Sequence, residues 1–377
     1  MKVLEGSAAI GEAVRLARPQ VISAYPITPQ THIVEYLARA VARGTLTGEI
    51  VTVESEHSAA SVVLGASASG VRTFTATSSQ GLLYMSEVVF NIAGMRLPVV
   101  MTLANRAVSA PLSIWNDHQD SMALRDAGWI QIFAQDAQEA HDLHLVAYRV
   151  AEQMLLPVMV CVDGFVLTHA FEPIEPLTQE QADLYLPPFD LPFALDPAHP
   201  MTLGTYTDPT AFTESRYALQ RAHEDARGVL DVALGEFAAI TGRGYDGAFD
   251  AYRLEDADVA LVVMGTAAQT TRVVVDELRA EGTRAGLLAI RTFRPFPSEQ
   301  LRAALATMDR VVVFDRSVSI GRGGIVAMEV RDALSSGPQV VGVIGGLGGR
   351  DVSRETLRRA FDAREDCWID VKTEVRA

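Results

Sequence analysis

The feature that most constrains the fold is a regular alternation of short, nearly uninterrupted apolar runs with longer amphipathic ones. "VISAY", "EIVTV", "VRTFTAT", "LPVVMTLA" and "LPVMVCVD" are rich in β-branched residues and read as strands buried on both faces. Helical patterns over 30–43, 56–69 and 79–94 separate the first four, and a fourth over 136–153 leads into the fifth. Parallel neighbours need crossover helices, so the pattern predicts a doubly wound parallel α/β sheet with helices on both faces.

The alternation fails between about 164 and 256. "FEPIEPLTQEQADLYLPPFDLPFALDPAHP" is proline-dense and reads as an extended loop, followed by a helix near 212–240. Such a stretch is expected to pack over the first unit. Strands "VALVVMG", "AGLLAIRTF", "RVVVFDR" and "QVVGVIG" then alternate with helices over 267–282, 297–307, 323–335 and 353–364. The chain therefore divides into a first α/β domain over 1–170, a connector over 171–256 and a smaller α/β domain over 257–377. The two α/β units share no residue-level repeat.

With 377 residues, of which 49% are hydrophobic, the chain can bury a large core. Its 32 Lys and Arg against 47 Asp and Glu leave a formal charge of −15, which argues against a nucleic-acid or anionic-membrane surface. Cys161 and Cys367 form no C-x-x-C, so neither a cysteine-ligated iron–sulfur cluster nor a structural cysteine zinc site belongs to this chain. No disulfide framework is expected, and the usage fits a reducing compartment. No segment has the apolar length for membrane insertion, and the first residues lack the apolar core of a secretory signal, so a soluble cytoplasmic protein is expected.

Six stretches could carry chemistry. "GRGG" (321–324) and "GGLGGRD" (345–351) lie between strand and helix, where backbone N–H groups can hold an anion, but tight turns explain them as well. Neither has the spacing of a dinucleotide fingerprint, so a Rossmann cofactor site is excluded. In "VTVESEHSAAS", Glu54 and Glu56 stand where a strand gives way to a helix of small residues. They are either solvated helix-start acids or carboxylates at the edge where open α/β sheets bind ligands. "ANRAVSAPLSIWNDHQDSMALRD" collects Arg106, Asp117, His118, Asp120 and Arg125 on an irregular loop. An arginine there suits a carboxylate ligand, and "DHQD" reads as a hydrogen-bonded turn, with no metal set expected. "SSQGLLYMSE" opens a helix with the capping residues Ser78 and Ser79. Finally, "SAYPITPQT" brackets Thr28 with Pro26 and Pro29, which should hold it extended.

Taken together, "AYPITPQT", "VESEHSAA", "TATSSQGL", "ANRAVSAPLSIWNDHQDSMALRDAGWIQI", "LPVMVCVDGFVLTH", "LLAIRTFRPFP" and "GGLGGRDV" resemble the α subunit of the 2-oxoacid:ferredoxin oxidoreductases, the pyruvate synthase family. The resemblance covers nearly the whole chain, in order. It implies a pyrimidine-binding thiamine-diphosphate domain followed by a transketolase C-terminal-like domain. The family's diphosphate-binding G-D-G motif is absent here. A β subunit is therefore implied to supply the diphosphate and Mg²⁺ site, with [4Fe-4S] clusters confined to partner subunits. Further γ and δ (ferredoxin-like) functions would serve coenzyme A and electron transfer to ferredoxin.

By the same resemblance, Glu56 meets N1′ of the aminopyrimidine, with Glu54 the runner-up. Tyr25, Pro26 and Ile27 lie beside the cofactor, while Thr28 and Arg106 hold the substrate hydroxyl-bonding and carboxylate-binding positions. Pyruvate is the expected substrate, although Pro111 stands where pyruvate-specific relatives often carry a histidine. The alternatives are the same chemistry on 2-oxoisovalerate or phenylglyoxylate, or a scaffold subunit that kept the fold without the reaction.

Overall fold

The structure, a computed structural model, describes residues 1–372. The first α/β unit is built on a seven-stranded sheet. From one edge to the other its strands are Thr292–Arg294, Ile130–Phe133, Val158–Asp163, Val100–Asn105, Thr73–Thr77, Val21–Ser23 and Glu49–Val51. All neighbouring pairs run parallel except the first, which is antiparallel. The chain moves from Val21–Ser23 to one side for Glu49–Val51 and back to the other for Thr73–Thr77 and Val100–Asn105. This reversal opens a crevice at the carboxyl ends of the central strands, the usual ligand position in such sheets.

A second sheet holds Cys367–Trp368, Gln339–Ile344, Arg310–Asp315, Val259–Met264, Ala285–Ile290 and Phe249–Tyr252 in that order. It is parallel apart from the edge strand Phe249–Tyr252. The expected doubly wound architecture is present in both halves. A further ladder pairs Lys2–Glu5 antiparallel with Phe171–Ile174.

The two halves are joined more closely than the alternation suggests. Thr292–Arg294 leaves the second sheet to become an edge strand of the first, and one hydrophobic core runs across the junction. In it Phe133 and Phe293 meet edge to face, ring centres 6.4 Å apart, both fully buried. Each such side chain contributes about 1.5–3 kcal/mol of burial free energy. The strand Ile130–Phe133 escapes a reading by apolar runs because Gln131 interrupts it. Gln131 is buried and donates to the Ser121 carbonyl at 2.9 Å.

The connector packs, as its length demands. Its helix Pro209–Thr241 starts at the Asp208 cap, which accepts from Thr210 N, and stops at Gly242 in the left-handed region. Leu219, Ala222, Ala226, Leu230, Ala233 and Phe237 recur at three- and four-residue steps and bury one face against the core that holds helix Ala137–Met154. The expected single helix over 79–94 is instead two, Ser79–Tyr84 and Ser86–Gly94, separated at Met85. Among the described residues, no helix is long and apolar enough to cross a membrane.

Candidate active site

Each expected site residue follows one of four adjacent parallel strands, so all of them emerge at the same edge of the sheet. Tyr25 to Thr28 follow Val21–Ser23, Glu56 follows Glu49–Val51, Ser78 to Gly81 follow Thr73–Thr77, and Arg106 follows Val100–Asn105.

The Tyr25–Gln30 loop is not extended throughout. Gln30 N donates to the Ile27 carbonyl at 3.0 Å, closing a turn through Thr28 and a cis Pro29. Thr28 thus lies inside a turn, which proline's missing N–H and fixed φ suit as readily as a strand. The Gln30 side chain does not cap the following helix. It reaches back to the Tyr25 carbonyl at 2.9 Å and ties the loop to itself. Pro29 and Gln30 are buried while Tyr25, Pro26 and Thr28 are exposed, so the loop presents those three residues outward on a buried base.

Glu56 is the first residue of helix Glu56–Ala68, whose cap Ser55 accepts from Ser58 N. The small residues Ala59, Ala60 and Ser67 let that helix lie close to its neighbours. Half-buried, the Glu56 side chain lies against Gly81. A Cβ on Gly81 would stand 2.8 Å from both Glu56 Cγ and Oε1, and 2.5 Å from Thr77 Oγ1. Nearby, Thr77 Oγ1 and Ser78 Oγ are buried with no hydrogen-bond partner within the described residues. Ser78 occupies the cap position without making a side-chain capping bond, contrary to the sequence reading. Glu54 is exposed and accepts from Ser58 Oγ at 2.6 Å, as a helix-start acid would.

Arg106 is buried and wired to the Thr28 loop and to its own. It donates through Nη1 to the Thr28 carbonyl at 2.9 Å and through Nε to the Ser113 carbonyl at 3.1 Å. Burial pulls its pKa below the usual arginine value, with the Asp120 carboxylate opposing. Its backbone N–H and that of Ser79 converge on a single oxygen, Asp120 Oδ2, at 3.0 and 2.9 Å. The other Asp120 oxygen accepts from Asn105 Nδ2 at 2.7 Å and from Ser121 N at 2.8 Å. Complete burial raises the Asp120 carboxyl to about 7, against these hydrogen bonds. Asp120 thus joins the loop carrying Arg106 to the helix whose Gly81 supports Glu56. Its place in "DHQD" marks it as polar on a loop, but only the fold shows which amides it binds.

The rest of "NDHQD" faces the second unit. Asp117 accepts from Gly348 N at 3.0 Å and Gly349 N donates to the Asn116 carbonyl at 2.6 Å. A Cβ on Gly349, which has φ +77°, would overlap Trp115. The cluster "GGLGGRD" is therefore a clamp on the Arg106–His118 loop. In "GRGG" the amides that open helix Ile325–Ala333 are taken by Asp315, which accepts from Val326 N at 3.0 Å and Ala327 N at 2.9 Å. Asp163, buried at the end of its strand, binds His118 Nε2 at 2.8 Å, Arg316 Nη1 at 2.7 Å and Thr266 N at 2.9 Å. Burial alone would raise the Asp163 carboxyl, but Arg316 and His118 hold it well below the carboxylate range. Arg125 lies apart, donating to the Met122 carbonyl at 2.7 Å. Cys161 and Cys367 are both free.

Comparison with known proteins gives this geometry its context. Residues 12–233 match the family described as pyruvate flavodoxin/ferredoxin oxidoreductase, thiamine diphosphate-binding, and residues 257–357 match pyruvate:ferredoxin oxidoreductase core domain II. The chain is 49% identical to pyruvate synthase subunit PorA of Methanothermobacter thermautotrophicus, over 99% of each chain. It is 46% identical to the PorA of Pyrococcus furiosus, covering 99% of this chain and 96% of the relative. Against ketoisovalerate oxidoreductase subunit VorA of Pyrococcus horikoshii the identity is 42%, over 93% of this chain and 90% of the relative. Among solved structures, the 2-oxoglutarate:ferredoxin oxidoreductase of Magnetococcus marinus superposes with a TM-score of 0.73 at 21% identity, over 95% of this chain and 64% of that one. A split-gene transketolase superposes at 0.57 with 15% identity, over 96% and 98%. Sequence and fold agree: the chain belongs to the pyruvate:ferredoxin oxidoreductase family of thiamine-diphosphate-dependent 2-oxoacid oxidoreductases.

Proposed function

We propose that this chain is the pyrimidine-side subunit of a multi-subunit enzyme that oxidatively decarboxylates pyruvate with coenzyme A to acetyl-CoA and CO₂, passing two electrons to ferredoxin. The observation that carries the reading is the convergence of Glu56, the Tyr25–Thr28 loop and Arg106 at the carboxyl ends of four adjacent strands.

The residues fit thiamine diphosphate. The missing Cβ of Gly81 lets the Glu56 carboxyl group lie against helix Ser79–Tyr84, and unpartnered Thr77 and Ser78 hydroxyls in the same region have hydrogen bonds left to give to a polar ligand. When bound, that cofactor supplies a nucleophilic carbon and an electron sink for the carbanion left by decarboxylation. Glu56 would hold a proton at N1′ of the aminopyrimidine, a general acid–base task suited to a carboxyl group at a ligand edge. Tyr25, Pro26 and Ile27 would line the ring, and Thr28 would donate its hydroxyl to the 2-oxoacid. Arg106 has its Nη1 and Nε engaged by carbonyls, which fixes the guanidinium plane and leaves its remaining N–H groups to a substrate carboxylate.

The open edge supports a composite pocket. Thr28 is exposed, and the exposed apolar residues Tyr25, Leu112, Ile114 and Trp115 belong to the same two loops. A partner β subunit carrying the diphosphate and Mg²⁺ site would cover them. The [4Fe-4S] clusters would reside on partner chains, because Cys161 is buried in a strand and Cys367 lies far along the sequence. The γ and δ functions would complete coenzyme A binding and delivery to ferredoxin.

The test is the assembled complex, assayed for 2-oxoacid-dependent viologen reduction with pyruvate, 2-oxoisovalerate and phenylglyoxylate. Pyruvate should give the highest kcat/KM, and Glu56→Gln should lower kcat by about 10²–10⁴-fold. A complex that binds thiamine diphosphate but is indifferent to Glu56→Gln would overturn the assignment. Preference for 2-oxoisovalerate would move the substrate while leaving the chemistry in place.

A further inference from the structure

A cluster away from the pocket edge has no part in the chemistry above. Glu5 ends the strand Lys2–Glu5, His32 is the second residue of helix Thr31–Ala42, and His169 precedes the strand Phe171–Ile174. The antiparallel ladder pairs Glu5 with Phe171, and Gly6 N donates to the Ala170 carbonyl at 2.9 Å, which brings His169 beside Glu5. One potential ligand atom from each of Glu5, His32 and His169 lies within 4.8 Å of the others.

The detailed arrangement suits a cation. His32 Nδ1 and Glu5 Oε1 are hydrogen-bonded at 2.7 Å, and a bound ion would take the place of the shared proton as the two ligand atoms spread to the ~3.3 Å of a tetrahedral site. The rings of His32 and His169 lie 4.8 Å apart and tilted by 38°. His169 Nδ1 is 2.8 Å from Thr168 Oγ1, an oxygen that also accepts from Phe165 N at 2.8 Å. A hydrogen bond at Nδ1 orients the ring and leaves Nε2 for a metal, the usual outer-shell arrangement of a ligating histidine. His32 and Glu5 both reach solvent, so an ion and its completing water have an entry path.

The geometry points to a binding site for a divalent first-row transition ion of the Zn²⁺ type at Glu5, His32 and His169. Two imidazoles and one carboxylate, with no thiolate, match that class better than Mg²⁺ or Ca²⁺, which prefer all-oxygen shells. This departs from the sequence expectation of no metal set in this chain. Its place in the fold gives the ion a bracing role. His32 lies in the helix that leaves the Thr28 loop, and His169 stacks on Phe165 at 4.9 Å, which stacks on Trp115 at 4.6 Å. An ion here ties the ladder to the Thr28 loop and to the loop that carries Arg106.

The test is titration of the full-length chain with Zn²⁺ against a chromophoric chelator, in excess Mg²⁺, followed by the visible spectrum with Co²⁺ as a stand-in. One equivalent should bind, and His32→Gln and His169→Gln should each weaken that equivalent by at least about tenfold. His199→Ala, in an exposed pair with Asp196, should leave it unchanged. No Zn²⁺ binding in the micromolar range, or binding indifferent to His32→Gln and His169→Gln, overturns the assignment. Because His32 is surface-placed, His32→Gln should retain the wild-type circular dichroism, so loss of the equivalent there reports the ligand and not the fold.

Discussion

Gly81→Ala isolates the contact on which the Glu56 assignment rests. The substitution sits in helix Ser79–Tyr84, where alanine is favoured over glycine by about 0.5–1 kcal/mol. Against this, the new methyl would lie 2.5 Å from Thr77 Oγ1 and 2.8 Å from Glu56 Cγ and Oε1. Overpacking of this kind costs about 1–3 kcal/mol, so the net loss of stability is expected between zero and about 2.5 kcal/mol. The two neighbours do not yield equally. Thr77 is fully buried in a strand, whereas Glu56 is half-buried at a helix start, so Glu56 should swing away. A displacement of about 1 Å at a catalytic group can lower the rate by about 10²-fold. Activity should therefore fall much further than stability. The assay is kcat and half-saturation for thiamine diphosphate in the assembled complex, beside thermal unfolding of the chain. Adding Gly81→Ala to Glu56→Gln should change activity little, because both act on one carboxylate. Wild-type kcat and half-saturation in Gly81→Ala would refute the reasoning.

Three further outcomes follow from the surrounding network. Asp120→Asn leaves a single acceptor oxygen between two pairs of donors, Ser79 N with Arg106 N and Asn105 Nδ2 with Ser121 N, so it should destabilise the chain by about 1–3 kcal/mol and raise KM for the 2-oxoacid more than half-saturation for the cofactor. Its pH dependence has a definite sign. A carboxyl raised from 3.8 to about 7 gives stability that is fully present below about pH 4 and lost as pH rises through about 7. Chemical unfolding between pH 4 and 8 should accordingly show a flatter profile for Asp120→Asn than for wild type. Asp163→Asn strips the partner from buried Arg316, a change expected to cost about 3–5 kcal/mol. Since the Asp163 carboxyl is depressed, that stability is present above about pH 4 and declines below it, so the gap from wild type should narrow only in acid. Gly349→Ala combines a left-handed φ with overlap on Trp115, and should raise the 2-oxoacid KM through the Arg106 loop, as read by steady-state kinetics. Unchanged kinetics there would discard the clamp.

Much of the architecture was legible because a two-sided parallel sheet needs buried strands, and those read as continuous apolar runs. The strands Val100–Asn105, Val158–Asp163, Val259–Met264 and Arg310–Asp315 are of that kind. Edge strands were less visible. Phe249–Tyr252 and Thr292–Arg294 are short and partly polar, and their pairing depends on chain segments more than thirty residues away. The family strings identified Glu56, Thr28 and Arg106 as a set, and the sheet puts them along one edge, though their roles rest on the proposal above.

The sequence by itself determined the class of fold and the family, because both follow from periodicity and local strings. It also placed a proline-bracketed hydroxyl, an acid at a helix start and an arginine after a strand, without saying what held them. Only the tertiary structure decided that Thr28 sits in a turn, that Asp120 gathers the amides of Ser79 and Arg106, and that the glycines of 345–351 grip the Arg106 loop. The physical reason is range: helix and strand propensities act over a few residues, whereas a buried carboxylate takes whichever donors the packed chain leaves beside it, forty or more than two hundred positions away.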